Sequence, residues 1–235
     1  MKPYRSVPIQ ECGEALVALP REIFAFVQPH PYEALGAPYE GKSPFYVRQS
    51  VCDRLLLAQH LLQVQNPGWK IQIFDAFRPL AVQQFMVNYT FAELVKQQGL
   101  VAEQLTDTHR QALYEWVYKF WALPDANPTC PPPHSTGGAI DVTLVDAAGQ
   151  IVDMGSAIDE ISPRSYPNHF ADSHNFNERK FHQNRTLLNQ IMTQAGFKRH
   201  EHEWWHFCYG DQLWAWLVNQ EDPNSSAVAY YGRVV

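Results

Sequence analysis

The spacing of apolar residues changes near residue 52 from an irregular arrangement to a helical one. Residues 1–50 are rich in proline and aromatic side chains without a sustained period, which predicts loops and short strands such as residues 45–47. From Cys52 onward apolar positions recur with a helical period, and Asn66-Pro67-Gly68 ends the predicted helix.

Strand and helix patterns follow one another irregularly in the rest of the chain. Alternating or continuous apolar positions predict strands at residues 69–74, 142–145 and 197–209, the last with a break near Trp205. Helical periods predict helices at residues 79–95, 106–121, 178–195 and 211–218. This mixture predicts an α+β fold in which a central, mostly antiparallel sheet is flanked by helices.

Length and charge restrict the class of protein. The 235 residues suit one domain spanning residues 1–235, with an N-terminal arm at 1–31 and a C-terminal tail at 221–235. The net charge is −6 and the 18 lysines and arginines are scattered, so we expect neither a nucleic-acid partner nor a membrane partner. The composition leaves the oligomeric state open.

The sequence shows no pattern typical of export. Its first residues form no continuous apolar segment, and no later segment is long and apolar enough to span a bilayer. We therefore expect a cytoplasmic protein. The wide spacing of the cysteines predicts free thiols in a reducing compartment at Cys12, Cys52, Cys130 and Cys208.

The most distinctive chemistry lies between His134 and Asp141. Small residues at 137–139 allow the backbone to turn, so that the imidazole and the carboxylate can reach one ion. Prolines at 131–133 stiffen the chain that enters this segment, and the strand predicted at 142–145 follows it.

A second polar group makes a metal site the preferred interpretation. A catalytic zinc ion typically has three protein ligands and keeps a further position for water. His134, Asp141 and His206 supply a suitable set, and such an ion lowers the pKa of bound water toward ~7. Glu203 is close enough in sequence to act as a general base without being a ligand.

The residues alone also allow two other interpretations of the proposed metal site. His134 and Asp141 also suit a hydrogen-bonded pair that only stiffens a turn. His202-Glu203-x-x-His206 fits a zinc-binding helix, although its aromatic, strand-like flanks disfavour a helix. On a regular strand Glu203 and His206 would face opposite sides, so a shared site requires a bulge or turn between them.

Two further residues suit recognition of a small peptide. Arg78 follows a predicted strand end, and its planar guanidinium suits a carboxylate or a developing oxyanion. Asp159 offers an acceptor for a substrate ammonium group.

These motifs together resemble the zinc D-alanyl-D-alanine dipeptidases, the VanX-type branch of the D,D-peptidase/Hedgehog-like metallopeptidases. The resemblance covers residues from about 32 to 207. It rests on His134-x-x-Gly137-x-Ala139-x-Asp141, on Glu203-x-Trp205-His206, on residues 74–79 and on Asp153-Met154-Gly155-Ser156 with Asp159.

The resemblance implies the Hedgehog/D,D-peptidase type of fold and one zinc ion per chain. The implied zinc ligands are His134, Asp141 and His206, and the implied general base is Glu203. The implied reaction is hydrolysis of the small dipeptide D-Ala-D-Ala to two D-alanines.

The resemblance also implies how substrate is bound. Arg78 is expected to stabilise the transition state, Asp159 to bind the free amino group and Tyr32 to line the pocket. The family usually has serine two residues before the first histidine, where this chain has Pro132. That departure puts the preference for the second substrate residue in doubt.

Two other functions are weighed against the dipeptidase. A D,D-carboxypeptidase or peptidoglycan endopeptidase would share the metal centre but act outside the membrane, which the missing export pattern disfavours. A non-catalytic, zinc-containing protein that binds D-amino-acid peptides would have no need of Glu203.

Overall fold

The computed structural model describes residues 2–234, which form two β-sheets and six α-helices within that range. The strands are β1 (Leu16–Ala18), β2 (Ala25–Phe26), β3 (Tyr46–Arg48), β4 (Lys70–Asp75), β5 (Ala139–Val145), β6 (Lys198–Arg199) and β7 (His206–Cys208). The helices are α1 (Pro31–Ala34), α2 (Gln49–Gln65), α3 (Leu80–Gln97), α4 (Asp107–Phe120), α5 (Phe176–Gln194) and α6 (Gln212–Glu221).

The main sheet has five strands in the order β2-β4-β5-β7-β6. Only the edge pair β2–β4 is parallel, and the other neighbours are antiparallel. Every residue of the central strand β5 is buried, as expected when both faces of a strand are covered. The predicted α+β fold with a mostly antiparallel sheet flanked by helices is confirmed.

Local sequence signals explain where the helices begin. The side chains of Thr106 and Asp211 accept hydrogen bonds from the first turns of α4 and α6, which is the usual N-cap arrangement. Pro79 directly precedes α3 instead of lying in its first turn. No helix within residues 2–234 has the length and apolar character needed to cross a membrane.

The segment predicted as a broken strand at 197–209 is two short strands. The strands β6 and β7 pair antiparallel with each other, and the residues between them, 200–205, are irregular. The interruption that Glu203 and His206 require if they are to share a site is therefore present.

Three apolar clusters hold these elements together. The largest lies between the main sheet and helices α2 and α5. A second lies between α3 and α4. The third joins α6 to Tyr4 in an N-terminal 3₁₀ helix, Pro3–Ser6, beside the end of β7. The third cluster brings the start of the chain next to the strand that carries His206.

Candidate metal centre

Strand pairing places three polar residues in one row across the main sheet. Asp75 on β4 lies opposite Asp141 on β5, and Asp141 lies opposite His206 on β7. Residues that lie directly opposite on neighbouring strands point their side chains to the same face. All three are buried, so the sheet presents two carboxylates and an imidazole together in its interior.

His134 reaches this row from the turn that precedes β5. It lies in a 3₁₀ helix, Pro133–Thr136, which ends at Gly137 with a φ of 74°. A Cβ atom at Gly137 would lie 2.4 Å from Leu16 Cδ2, and one at Gly138 would lie 2.8 Å from the carbonyl oxygen of Tyr209. Only glycine fits this close approach, as the sequence pattern predicts.

His134, Asp141 and His206 are brought together as a buried group of possible metal ligands. His134 Nε2 lies 3.2 Å from His206 Nδ1 and 3.3 Å from Asp141 Oδ2. His206 Nδ1 lies 3.0 Å from Asp141 Oδ1. Tetrahedral zinc with bonds of about 2.0–2.1 Å separates its ligand atoms by about 3.3 Å. The three residues therefore fit a zinc ion.

The outer atoms of the two imidazoles differ in their surroundings. His134 Nδ1 donates to the carbonyl oxygen of Ala76 at 2.7 Å, which leaves the lone pair of Nε2 directed at the site. His206 Nε2 is buried and has no hydrogen-bond partner among residues 2–234. His206 Nδ1 faces Asp141 and His134 Nε2, so both rings direct one nitrogen at the site.

Glu203 lies beside the ligand group without belonging to it. Its Oε2 is 3.9 Å from His206 Nδ1 and its Oε1 is 4.0 Å from His200 Nδ1. Burial raises the pKa of the Glu203 carboxyl to about 8, although the nearby Lys2 ammonium acts in the opposite direction. His202 is exposed on the irregular segment 200–205 and lies outside the ligand group, so the zinc-binding helix is not formed.

Arg78 is held in place by a set of buried hydrogen bonds. Its Nε and Nη2 donate to Asp75 Oδ2 at 3.0 and 2.7 Å. Its Nη1 donates to Gln83 Oε1 at 2.9 Å, and Nη2 also donates to the Tyr32 hydroxyl at 3.2 Å. One Nη1 hydrogen is left without a partner within residues 2–234, on a side chain that lines the pocket.

Asp159 and Tyr32 form a pair next to Arg78. The Tyr32 hydroxyl donates to Asp159 Oδ2 at 2.7 Å. Burial, followed by the charge of Asp141, raises the pKa of Asp159 to about 6. Asp159 has a φ of 62°, a left-handed conformation that aspartate tolerates better than most residues. Tyr32 is 1% exposed and lies behind Asp159 and Arg78.

A narrow pocket connects these groups. It is lined by Asp159 and Arg78, by the three possible ligands and by Glu203, and its volume is about 40 Å³. Pockets for drug-sized ligands typically measure about 300–1,000 Å³. The arrangement therefore suits a very small polar substrate at a metal ion next to a buried carboxyl.

The comparison with known proteins agrees with this chemistry. Residues 26–227 match the Peptidase M15 family, described as D-ala-D-ala dipeptidase. The chain belongs to this family. Membership confirms that the protein is a metallopeptidase, as the sequence motifs predict, and a metal site is expected where the three ligands meet.

Relatives in this family extend over much or all of the chain. A D-alanyl-D-alanine dipeptidase from Synechocystis is 50% identical over 240 residues, covering 100% of this chain and 97% of the relative. A D-alanyl-D-alanine dipeptidase from Enterococcus faecium is 29% identical over 164 residues, covering 69% of this chain and 72% of the relative.

Two solved structures are similar at lower identity. One is the vancomycin resistance D,D-pentapeptidase VanY in complex with Zn(II), with 14% identity, a TM-score of 0.45, and coverage of 77% of this chain and 82% of that chain. The other is the LD-carboxypeptidase LdcB, with 16% identity, a TM-score of 0.45, and coverage of 93% of this chain and 77% of that chain.

The metallopeptidase site also contains residues that the motifs alone do not point to. His30 bonds Asp75 through Nε2 at 3.1 Å and so supports the carboxylate that holds Arg78. Lys2 and His200 line the pocket beside Glu203. His200 is three residues before Glu203, but Lys2 and His30 lie outside the motifs that suggest the metal site, and their distance to it depends on packing.

Arg185 on α5 is a further residue that the motifs do not reveal. Its guanidinium is buried and donates to the carbonyl oxygens of Met154 at 2.7 Å and Arg164 at 2.9 Å. Its Nη2 also donates to Ser156 Oγ at 3.1 Å. These bonds anchor the segment that carries Asp159 to a helix, so an otherwise irregular loop is held in one position.

Proposed function

We propose that the protein hydrolyses D-Ala-D-Ala to two D-alanines with one zinc ion bound by His134, Asp141 and His206. The observation that carries this proposal is the buried group of His134, Asp141 and His206, in which each pair of residues has polar atoms 3.0 to 3.3 Å apart, beside a buried carboxyl that is not a ligand. Family membership supplies the substrate class.

Zinc in this position would polarise the scissile carbonyl and lower the pKa of a bound water molecule toward ~7. The protein contributes the proton transfer. Glu203 accepts a proton from the attacking water and passes it to the leaving amine, for which a carboxyl pKa raised toward neutrality is suitable.

The remaining polar groups orient the dipeptide. Asp159 binds the substrate ammonium group, and the Tyr32 hydroxyl holds the carboxylate that does so. Arg78 directs its remaining Nη1 hydrogen at the oxygen that becomes negative in the transition state. Asp75 keeps the guanidinium in that orientation through two hydrogen bonds.

The size of the pocket favours a dipeptide over a longer cell-wall peptide. A carboxypeptidase or endopeptidase must admit several residues on the amino side of the cleaved bond. Here that side is occupied by Asp159, and Trp121 also lines the narrow pocket. A carboxylate at this point favours a free ammonium group over a continuing peptide chain.

The decisive experiment compares hydrolysis of D-Ala-D-Ala by the zinc-loaded wild type with Glu203→Ala and Glu203→Gln. Loss of the general base is expected to lower the rate by at least ~100-fold, while zinc content stays near one per chain. His202→Ala is the control, because this exposed side chain lies outside the ligand group.

Acetylated D-Ala-D-Ala and a peptide ending in D-Ala-D-Ala complete the test. The proposal predicts cleavage of neither, because both lack the ammonium group next to the scissile bond. Cleavage of the longer peptide in preference to the dipeptide would favour a carboxypeptidase. Binding of zinc and dipeptide by the wild type without turnover would favour a binding protein.

A further inference from the structure

The beginning of the chain forms one wall of the pocket. Tyr4 is buried against the apolar side of α6 and next to Ala139 and Cys208. The Gln212 side chain donates to the carbonyl oxygens of Arg5 at 3.3 Å and Val7 at 2.6 Å. These contacts fix the segment that carries Lys2, whose side chain lines the pocket.

Lys2 and Arg78 are the cationic side chains that line this pocket. Arg78 is bonded to Asp75, Gln83 and Tyr32. Lys2, in contrast, forms neither an ion pair nor a side-chain hydrogen bond with any residue that the structure describes. Its ammonium group acts on the Glu203 carboxyl through space, and no direct contact with a described residue keeps it from a ligand.

Lys2 and Asp159 line the same pocket but border different neighbouring cavities. The cavity adjoining Asp159 is lined by Tyr32 and Trp121 and not by Lys2. Two other cavities, of about 400 and 260 Å³, are lined by Lys2 and Tyr4 and not by Asp159. The pocket with the possible metal ligands is lined by both, so it presents a carboxylate and an ammonium group that border different cavities.

A dipeptide zwitterion has the complementary distribution of charge. Its ammonium group and its carboxylate stand on opposite sides of the peptide bond that is cleaved. With the ammonium group at Asp159, the scissile bond lies at the metal ligands and the carboxylate is directed toward Lys2.

We propose that Lys2 binds the free carboxylate of the dipeptide and is thereby a determinant of specificity for substrates that end at the second residue. This inference rests on the proposed function. A substrate that continued beyond the second residue would replace the charge that Lys2 binds with a neutral amide. It would also extend past Lys2 and Tyr4, which line both this pocket and the two larger cavities.

A different role for Lys2 is to balance the charge of Glu203, since its ammonium group acts on that carboxyl. The two roles differ in which ligands they affect. A counter-charge for Glu203 would influence D-Ala-D-Ala and its C-terminal amide alike. A carboxylate-binding lysine would influence only the dipeptide with a free carboxylate.

The test measures binding by calorimetry in zinc-loaded Glu203→Ala, a background that removes both turnover and the Glu203 charge. The ligands are D-Ala-D-Ala and D-Ala-D-Ala amide, and the added changes are Lys2→Met, Lys2→Arg and the control Lys180→Met, at an exposed site on α5. Lys2→Met is expected to raise the Kd of the dipeptide about tenfold, as for loss of one charge-assisted contact.

Lys2→Arg should restore most of the dipeptide affinity, and neither change should alter the weaker binding of the amide. In the otherwise wild-type enzyme, Lys2→Met should raise KM for D-Ala-D-Ala with a smaller effect on kcat. Zinc content and thermal unfolding verify that each variant is folded.

Equal weakening of the dipeptide and the amide would overturn the inference, and so would a dipeptide Kd within twofold of the background. Failure of the proposed function looks different. In that case the otherwise wild-type, zinc-loaded enzyme would not cleave D-Ala-D-Ala, whatever the Kd values in the Glu203→Ala background show.

Discussion

The carboxyl groups around the pocket fall into two sets that differ in their partners. Asp75 and Asp141 lie on the neighbouring strands β4 and β5. The guanidinium of Arg78 and the ring of His30 outweigh the effect of burial and lower the pKa of Asp75. The imidazoles of His134 and His206 likewise outweigh burial at Asp141, so the pKa of Asp141 lies well below its usual range.

The second set lies on connecting segments. Asp159 accepts a hydrogen bond from Tyr32, and Glu203 accepts none from the residues that the structure describes. Burial raises the pKa values of Asp159 and Glu203 to about 6 and about 8. Asp211, which precedes α6, is raised to about 6 for the same reason.

The two sets differ in whether the carboxyl stays charged or readily binds a proton. A buried carboxylate with strong partners remains charged and fixed, which suits a metal ligand or the support of an arginine. A buried carboxyl whose nearby cations do not outweigh the effect of burial favours the protonated form and gains most from a new positive charge or proton. The strand carboxylates Asp75 and Asp141 are therefore fixed in the charged form, whereas Asp159 and Glu203 on connecting segments bind a proton more readily.

The largest expected effect on activity comes from removing one of the possible metal ligands. In His134→Ala the ligand set loses an imidazole, so bound zinc should fall from near one per chain to near zero. Hydrolysis of D-Ala-D-Ala should then fall by about 1,000-fold or more, since the metal supplies several kcal/mol of transition-state stabilisation. Elemental analysis and rate assays measure both, beside His202→Ala. Full zinc content in His134→Ala would contradict the ligand assignment.

The next prediction compares how a substitution in each set of carboxyls changes the free energy of unfolding. Asp75→Asn removes the shorter of the two ion pairs of the buried Arg78 and leaves the 3.5 Å contact with Asp141, so the free energy of unfolding should fall by about 3 kcal/mol. Glu203→Gln replaces a buried carboxyl that accepts no hydrogen bond from the described residues and favours its neutral form, so its effect should be within about 1 kcal/mol or stabilising.

Urea unfolding of the metal-free proteins measures both values. If Glu203→Gln were the more destabilising change, the inference that cationic partners stabilise the buried strand carboxylates would be wrong.

A third effect concerns pH and Asp211, which is 1% exposed. Its folded pKa of about 6 lies above an unfolded value of about 3.9, so the folded state binds the proton more tightly. The associated stability is present at low pH and is lost as pH rises through about 4 to 6, by roughly 3 kcal/mol in total.

Asp211→Asn cannot lose this proton but keeps an oxygen that caps α6. The free energy of unfolding of the variant minus that of wild type, both metal-free, should therefore rise by roughly 2 kcal/mol between pH 4 and pH 7. If this difference in the free energy of unfolding did not change with pH, the pKa of Asp211 would not be raised on folding.

The smallest expected effect tests substrate binding by the second set. Asp159→Asn removes the charge that faces the substrate ammonium group, so KM for D-Ala-D-Ala should rise about tenfold with a smaller change in kcat. Steady-state kinetics on the zinc-loaded enzyme provide both constants. The exposed Asp172→Asn is the control. An unchanged KM for Asp159→Asn would remove Asp159 from the substrate site.

The sequence by itself determines most of the elements and the chemistry available to them. Periodicity places helices α2 to α6 and strand β4 to within a few residues of their observed ends, because these features depend on neighbouring positions. The glycines after His134 indicate a close backbone approach before any partner is known, because only glycine tolerates that conformation.

Tertiary structure alone decides how that chemistry is arranged. The row of Asp75, Asp141 and His206 depends on the register of three strands whose residues are far apart in the chain. The position of Lys2 beside Glu203 depends on packing of the N-terminal segment against α6.

Tertiary structure also determines the pKa of each carboxyl. Asp141 and Asp159 are the same residue type, yet their pKa values move in opposite directions. The physical reason is that burial acts on both, while only Asp141 receives the imidazole partners that non-local strand pairing brings to it.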